Sequence, residues 1–144
     1  MANAPLGAWS GSMTPGPPDP LEAKAAADRI VEQAAEQLRA LLLEAAARLR
    51  PFPPFPGAFF TYALEAEPNG AADVDRGCVV VCEDGELYEL QMGVDLESAA
   101  LGGFEDPVSL RKEELKKLDL HPRDYIVYAY NALTAVTEKL LEQS

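Results

Sequence analysis

The residue types able to do chemistry are few in this chain, and their spacing does not combine them. Cysteine occurs twice, at Cys78 and Cys82, and histidine once, at His121. A Ser-His-Asp or Cys-His centre would have to use that histidine. It precedes Pro122 at a position that reads as a helix start, which is a structural setting. A thiol becomes a good nucleophile where a positive field lowers its pKa, and the residues around Cys78 and Cys82 are acidic, which raises it. Two thiols and one imidazole need a carboxylate to complete a tetrahedral zinc site, and the spacing supplies no ligand pattern. Asp73-x-Asp75 begins like a calcium loop, but Gly77 stands one place too early and Asp84 stands where the closing glutamate belongs. Asp95, Glu97, Glu105 and Asp106 could hold a hard cation if they converged, and nothing in their spacing makes them do so. Glu83 and Glu86 flank an exposed turn, where no burial raises a carboxyl pKa for acid catalysis. Neither phosphate-cradling glycine motif occurs. The sequence therefore assigns no catalytic residue, no metal and no cofactor, and it points away from an enzyme.

The elements that would position these residues are organised around Cys78 to Met92. Two runs rich in β-branched and aromatic residues flank Asp84-Gly85, a dipeptide suited to a two-residue type I′ turn. That turn pairs Glu83 with Glu86, Cys82 with Leu87, Val81 with Tyr88, Val80 with Glu89 and Val79 with Leu90. Strand alternation then puts Val79, Val81, Tyr88, Leu90 and Met92 on the core face. Cys78, Val80, Cys82, Leu87, Glu89 and Gln91 take the other face, which is less polar than a solvated face usually is. On this register Cys78 and Cys82 lie roughly 13 Å apart along one strand, beyond the ~7 Å that a disulfide spans.

The remaining chain reads mainly as helix. Residues 1–18, rich in Pro, Gly, Ser and Ala, read as a disordered tail. Residues 19–144 read as a single α+β domain. Asp19-Pro20-Leu21-Glu22 is a helix start. Ala27, Ile30, Val31, Ala34, Leu38, Leu41, Leu42, Ala45 and Leu49 then recur at helical spacing up to Pro51. A helix of that length outruns a three-stranded sheet, so part of it is free to meet another chain. Four prolines between Pro51 and Pro56 predict a stiff polyproline II connector. Residues 58–67 alternate as a strand and make a three-stranded antiparallel meander with the hairpin. Beyond a connector over 93–107, Ser109 caps a predicted helix over 110–118, in which Glu113 pairs with Lys117. A last helix runs from Pro122 to about Glu142 with a stripe of Ile126, Tyr130, Leu133, Val136 or Thr137, Leu140 and Leu141. Tyr125 and Tyr128 lie off that stripe.

Charge and length limit what the protein can do. The net charge is −12, and residues 51–108 hold twelve acids against one base, Arg76. Such a field repels nucleic-acid backbone and anionic lipid and favours cationic partners. No apolar run approaches the ~20 residues that span a bilayer, and the first residues lack the basic and apolar regions of a secretory signal, so the expected setting is cytoplasmic. The order helix, three-stranded meander, helix is similar to that of YbaB-type nucleoid proteins and, more loosely, of secretion chaperones. The acidic sheet speaks against the DNA binding that the first likeness implies and suits a chaperone-like or adaptor dimer.

The fold expected is α+β: a three-stranded antiparallel meander packed by a long N-terminal helix and a C-terminal helical pair. The function expected is a non-enzymatic interaction module, homodimeric or bound to another protein, with no nucleic-acid or membrane partner. Its candidate contact residues are Val80 and Leu87 on the second sheet face and Tyr125 and Tyr128 on the last helix. Two alternatives stand beside it. One is an acidic inhibitor or immunity-type protein that binds a basic partner. The other is a small enzyme or ligand-binding domain with a pocket lined by Tyr62, Tyr88, Tyr125 and Tyr128.

Overall fold

The computed structural model describes residues 19–70, 77–94 and 111–144. The predicted tail, the Asp73-x-Asp75 stretch and the carboxylates of the 95–106 connector lie outside the described residues. The chain divides into two compact units, Met1–Ile30 and Val31–Ser144. The described part of the first is the opening of helix α1, which spans Pro20–Arg48. There Asp19 caps the Leu21 amide through Oδ1 at 3.0 Å, and Lys24 pairs with Asp28 one turn on at 2.8 Å.

The second unit is α+β, with four strands where the sequence suggested three. Strands β1 (Ala63–Glu65), β2 (Cys78–Cys82), β3 (Leu87–Val94) and β4 (Arg111–Lys117) form one antiparallel sheet in chain order, and helix α2 covers Pro122–Gln143. The predicted helix over 110–118 is instead β4, so the C-terminal helical pair is corrected to one helix. RKEELKK has strong helix formers, and local propensity is a weak prior that pairing overrides. Here all of Arg111–Lys117 pairs with β3, Leu115 opposite Leu90 and Lys116 opposite Glu89.

The hairpin connection is one residue longer than expected. The Gly85 amide donates to the Cys82 carbonyl at 2.9 Å, the Cys82 amide donates to the Glu86 carbonyl at 3.2 Å, and Gly85 sits at φ 79°. This is a three-residue loop, a type I turn closed by a left-handed glycine. The register is therefore Val81 with Leu87, Val80 with Tyr88, Val79 with Glu89 and Cys78 with Leu90. A slip of one residue moves every side chain of one strand to the other face. Val79 and Val81 keep the expected core face, but Leu87 joins them while Tyr88, Leu90 and Met92 move to the opposite side.

The helix-side core contains Val79, Val81 and Leu87 from the sheet, Leu42, Ala46 and Leu49 from α1, Phe52, and Tyr125, Tyr128, Ala129, Ala132 and Val136 from α2. The stripe read for α2 was thus rotated. Tyr125 and Tyr128 are buried, whereas Tyr130 and Leu141 are exposed. Residues 125, 128, 129, 132 and 136 have helical spacing, and Ala129 and Ala132 let the helix lie close to the sheet. A reading weighted toward bulky side chains passes over them. At the head of α2, His121 Nδ1 accepts the Arg123 amide at 3.2 Å and Pro122 occupies the first turn, so the histidine is a cap.

Candidate functional site

The site is built on the sheet face turned away from the helices. A small cluster of Ala63, Val80, Cys82 and Leu90 is buried there, with Phe55, Cys78 and Tyr88 packed beside it. Its cover is the proline-rich segment. Phe55 and Thr61 are joined main chain to main chain at 2.9 Å, and Pro54 bridges to Tyr62, so the segment folds back on itself. Glu113 anchors it. Its carboxylate accepts the Phe59 amide at 2.5 Å, the Phe60 amide at 3.0 Å and the Thr61 hydroxyl at 2.8 Å. Charge-assisted bonds to main-chain amides are among the stronger ones available. They fix the 59–61 loop to a strand more than fifty residues away in sequence.

The cover is incomplete. Phe59, Phe60, Tyr62, Met92 and Leu115 are all between 43 and 65% exposed. Met92 lies directly across from Glu113, and Leu115 two residues along β4, so the apolar surface surrounds the anchored loop. The Phe59 and Phe60 rings stand 6.2 Å apart, tilted by 52°. Among the described residues no helix reaches this end of the sheet. Gln91, Met92 and Gly93 of β3 and Lys112, Glu114, Leu115, Lys116 and Lys117 of β4 are exposed, taking in both faces of the ribbon. A cavity of about 180 Å³ opens beside Gln91, Met92, Gly93, Lys112 and Glu114.

β4 lies at the end of the described strand order. The Leu118 amide donates to the Leu87 carbonyl at 3.1 Å. Bonded and non-bonded pairs alternate in an antiparallel ladder. Residues 112, 114 and 116 therefore bond inward to β3, and Glu113, Leu115 and Lys117 turn their main-chain groups outward. Among the described residues no strand pairs with that outer edge.

Elsewhere charged groups hold the hairpin loop to α1 and to the residues just after it. Arg50 pairs with Glu83 at 3.2 Å and Arg39 with Glu86 at 3.1 Å, so Glu83 and Glu86 each have their own arginine. The Arg39 guanidinium also stands 4.5 Å above the Tyr125 ring. The Tyr88 hydroxyl donates to Asp84 at 2.5 Å, and this bond, with burial, pushes its pKa up to about 12. Burial pushes the Cys82 thiol up to about 12, helped by the nearby Asp84 charge, and raises the Cys78 thiol in the same way beside Glu65. Both cysteines are free thiols. Between β1 and α2 an acidic cleft of about 260 Å³ is lined by Glu65, Glu67, Asn131, Thr134, Ala135 and Glu138. Asn131 bridges its mouth by donating to the Glu67 carbonyl at 2.7 Å and the Asn69 carbonyl at 3.2 Å.

The four residues singled out from sequence as contacts are all packed within the chain. Val80 is buried in the second-face cluster, and Leu87, Tyr125 and Tyr128 are buried in the helix-side core. Of the four tyrosines, Tyr88 lies on the opposite side of the sheet from Tyr125 and Tyr128, and Tyr62 is exposed. Glu113 and Leu115 were missed because their segment read as helix. No signal in the sequence finds them, because Arg111–Lys117 holds one leucine among six charged residues and shows no two-residue alternation. No helix among the described residues is long and apolar enough to cross a membrane, and no group of three or more His, Cys, Asp or Glu among them could hold a metal ion. No protein-family model, no curated protein and no solved structure matches this chain.

Proposed function

We propose that the chain is a non-enzymatic interaction module that acts as a homodimer. One observation carries this reading: among the described residues no helix roofs the outer half of the sheet, and Met92 and Leu115 are exposed beside Phe59 and Phe60. Small sheets gain stability from having their apolar faces packed, and an exposed apolar patch rimmed by charge is how protein contacts commonly look from one side. The raised thiol pKa values support a non-catalytic role for Cys78 and Cys82, because the thiolate is the reactive form. Two free cysteines suit a reducing compartment such as the cytoplasm. The concentration of acid between residues 51 and 108 favours a protein partner over nucleic acid or anionic lipid.

Sedimentation equilibrium is the direct test. A mass of twice 15.5 kDa is expected. A single monomeric species at roughly 100 μM, where even weak specific dimers form, would overturn the reading.

A further inference from the structure

We infer that Asn69-Gly70 is a self-modification site: the folded chain deamidates Asn69 through a cyclic imide, and Asn131 promotes the step by polarising the peptide bond that supplies the nucleophile. This stands apart from the homodimer reading and uses none of the residues on which that reading rests.

The chemistry belongs to the dipeptide. The Gly70 amide nitrogen gives up its proton to solvent base and attacks the side-chain carbonyl carbon of Asn69, Cγ. A five-membered succinimide closes, and Nδ2 leaves as ammonia with a proton taken from solvent. Water then opens the ring. Addition at Cγ gives aspartate, and addition at the main-chain carbonyl carbon gives isoaspartate, whose backbone runs through Cβ and Cγ. The balance is asparagine plus water to aspartate or isoaspartate plus ammonia, with no change in oxidation state. Asparagine counts among the thermally labile residues. A side chain on the following residue crowds the attack, and glycine has none.

The fold presents the pair for this step. Asn69 and Gly70 are both exposed in the turn that follows β1. Gly70 has φ 96°, and a Cβ added there would lie 3.6 Å from Val127 Cγ1, an ordinary contact. Asn69 Nδ2 donates to Glu67 Oε2 at 3.2 Å. That is a long bond at the surface, so the side chain swings toward the Gly70 nitrogen at little cost.

Asn131 acts on the other side of the nucleophile. From α2 its Nδ2 donates to the Glu67 carbonyl at 2.7 Å and to the Asn69 carbonyl at 3.2 Å. The second carbonyl belongs to the same peptide group as the Gly70 amide. When that amide loses its proton, the charge is shared between nitrogen and oxygen, and a donor already aimed at the oxygen stabilises it. In isoaspartate the same oxygen becomes part of a carboxylate, so the bond from Asn131 strengthens as the reaction completes.

Asp84-Gly85 is the internal control. The same ring could close there with water as the leaving group, and the fold blocks each part of the step. The Gly85 amide donates to the Cys82 carbonyl at 2.9 Å, which engages the nucleophile. Asp84 accepts the Glu86 amide at Oδ1 and the Tyr88 hydroxyl at Oδ2. Those donors favour the ionised carboxylate, the form that does not expel water. The Leu43 main chain also packs against Gly85.

The product changes one place on the surface. Each modified copy gains a negative charge beside the acidic cleft of Glu65, Glu67 and Glu138, and the Asn69 donor to Glu67 is lost.

The test ages the full chain at neutral pH and physiological temperature, in parallel with the same chain unfolded in guanidinium chloride. Peptide mapping by mass spectrometry reads the gain of one dalton, and an isoaspartate assay separates the two products. In the native chain Asn69 is expected to convert, mostly to isoaspartate, at a rate no lower than in the unfolded chain. Asp84 is expected to isomerise only once the chain is unfolded. Asn131→Ala, checked for folding by circular dichroism, should slow the native conversion severalfold and leave the unfolded rate unchanged. A native chain in which Asn69 reacts more slowly than in the unfolded chain, or not at all, overturns the proposal. So does a native rate that Asn131→Ala leaves unchanged or raises.

Discussion

The amide of Phe59 donates to the carboxylate of Glu113 across 2.5 Å, joining the turn after the proline-rich segment to a strand 54 residues later. With the Phe60 amide and the Thr61 hydroxyl on the same carboxylate, one side chain satisfies three donors. Hydrogen bonds to charged groups are worth about 1.5–3 kcal/mol, and part-exposure lowers that. Glu113→Ala is therefore expected to lower unfolding stability by about 1–3 kcal/mol, read from the urea midpoint. Thr61→Val should cost less, because two of the three bonds remain. An unchanged midpoint for Glu113→Ala would show that the loop is held some other way.

Two left-handed glycines differ in what surrounds them. Gly85 has φ 79°, and a Cβ added there would lie 2.7 Å from the Leu43 Cα, while Gly57 has φ 86° and open space around it. Left-handed backbone alone costs a side-chain-bearing residue about 1–2 kcal/mol. Gly57→Ala should show that cost and no more. Gly85→Ala should lose about 2–5 kcal/mol, since strain and a backbone clash add. Equal losses would contradict the close approach of α1 to the hairpin.

The alkaline limb of stability is set by groups that prefer to keep their protons in the fold. Cys82 and Tyr88 both rise to about 12, from ordinary values of 9.0 and 10.0, and Tyr125 is raised mainly by burial. The unfolded chain releases these protons first, so the stability they contribute is complete below the ordinary values and drains away as pH climbs toward 12. Unfolding free energy should fall across that window. Asp84→Asn should let the Tyr88 phenolate form at lower pH by removing the charged acceptor, as ultraviolet absorbance would record. No change would mean that burial, rather than the Asp84 bond, holds the proton.

Tyr125 joins a favourable ring to an unfavourable hydroxyl. Arg39 stacks on its face, yet among the described residues nothing bonds its buried hydroxyl. Tyr125→Phe should leave stability unchanged or raise it by about 1 kcal/mol, while Arg39→Met should lower it by about 0.5–1 kcal/mol. A marked loss from the phenylalanine variant would reveal an accepting group at that hydroxyl.

Residues with one strong local signal were legible. Asp19-Pro20 begins a helix, His121-Pro122 caps another, and the valines of β2 are core. Turn length was not, because Asp84-Gly85 suits a two-residue and a three-residue connection alike, and the structure takes the longer one. β4 was not, because its one leucine and its lysines and glutamates have helical preference and reveal their strand only once β3 lies beside them. The candidate site inherits both gaps. Its exposed surface belongs to Met92 and Leu115 rather than to Val80 and Leu87, and no local reading of either stretch distinguishes them.

The three-residue connection at Glu83-Asp84-Gly85 acts on β3 as a reading frame acts on a gene. Shortening it by a single residue would exchange the sides of Leu87 and Tyr88 and of every residue after them, burying Tyr88 under the helices and turning Leu87 outward. Length variation is therefore tolerable almost anywhere in this domain's surface before it is tolerable there, and a chimera that imports a different hairpin tip would import a different inside and outside with it.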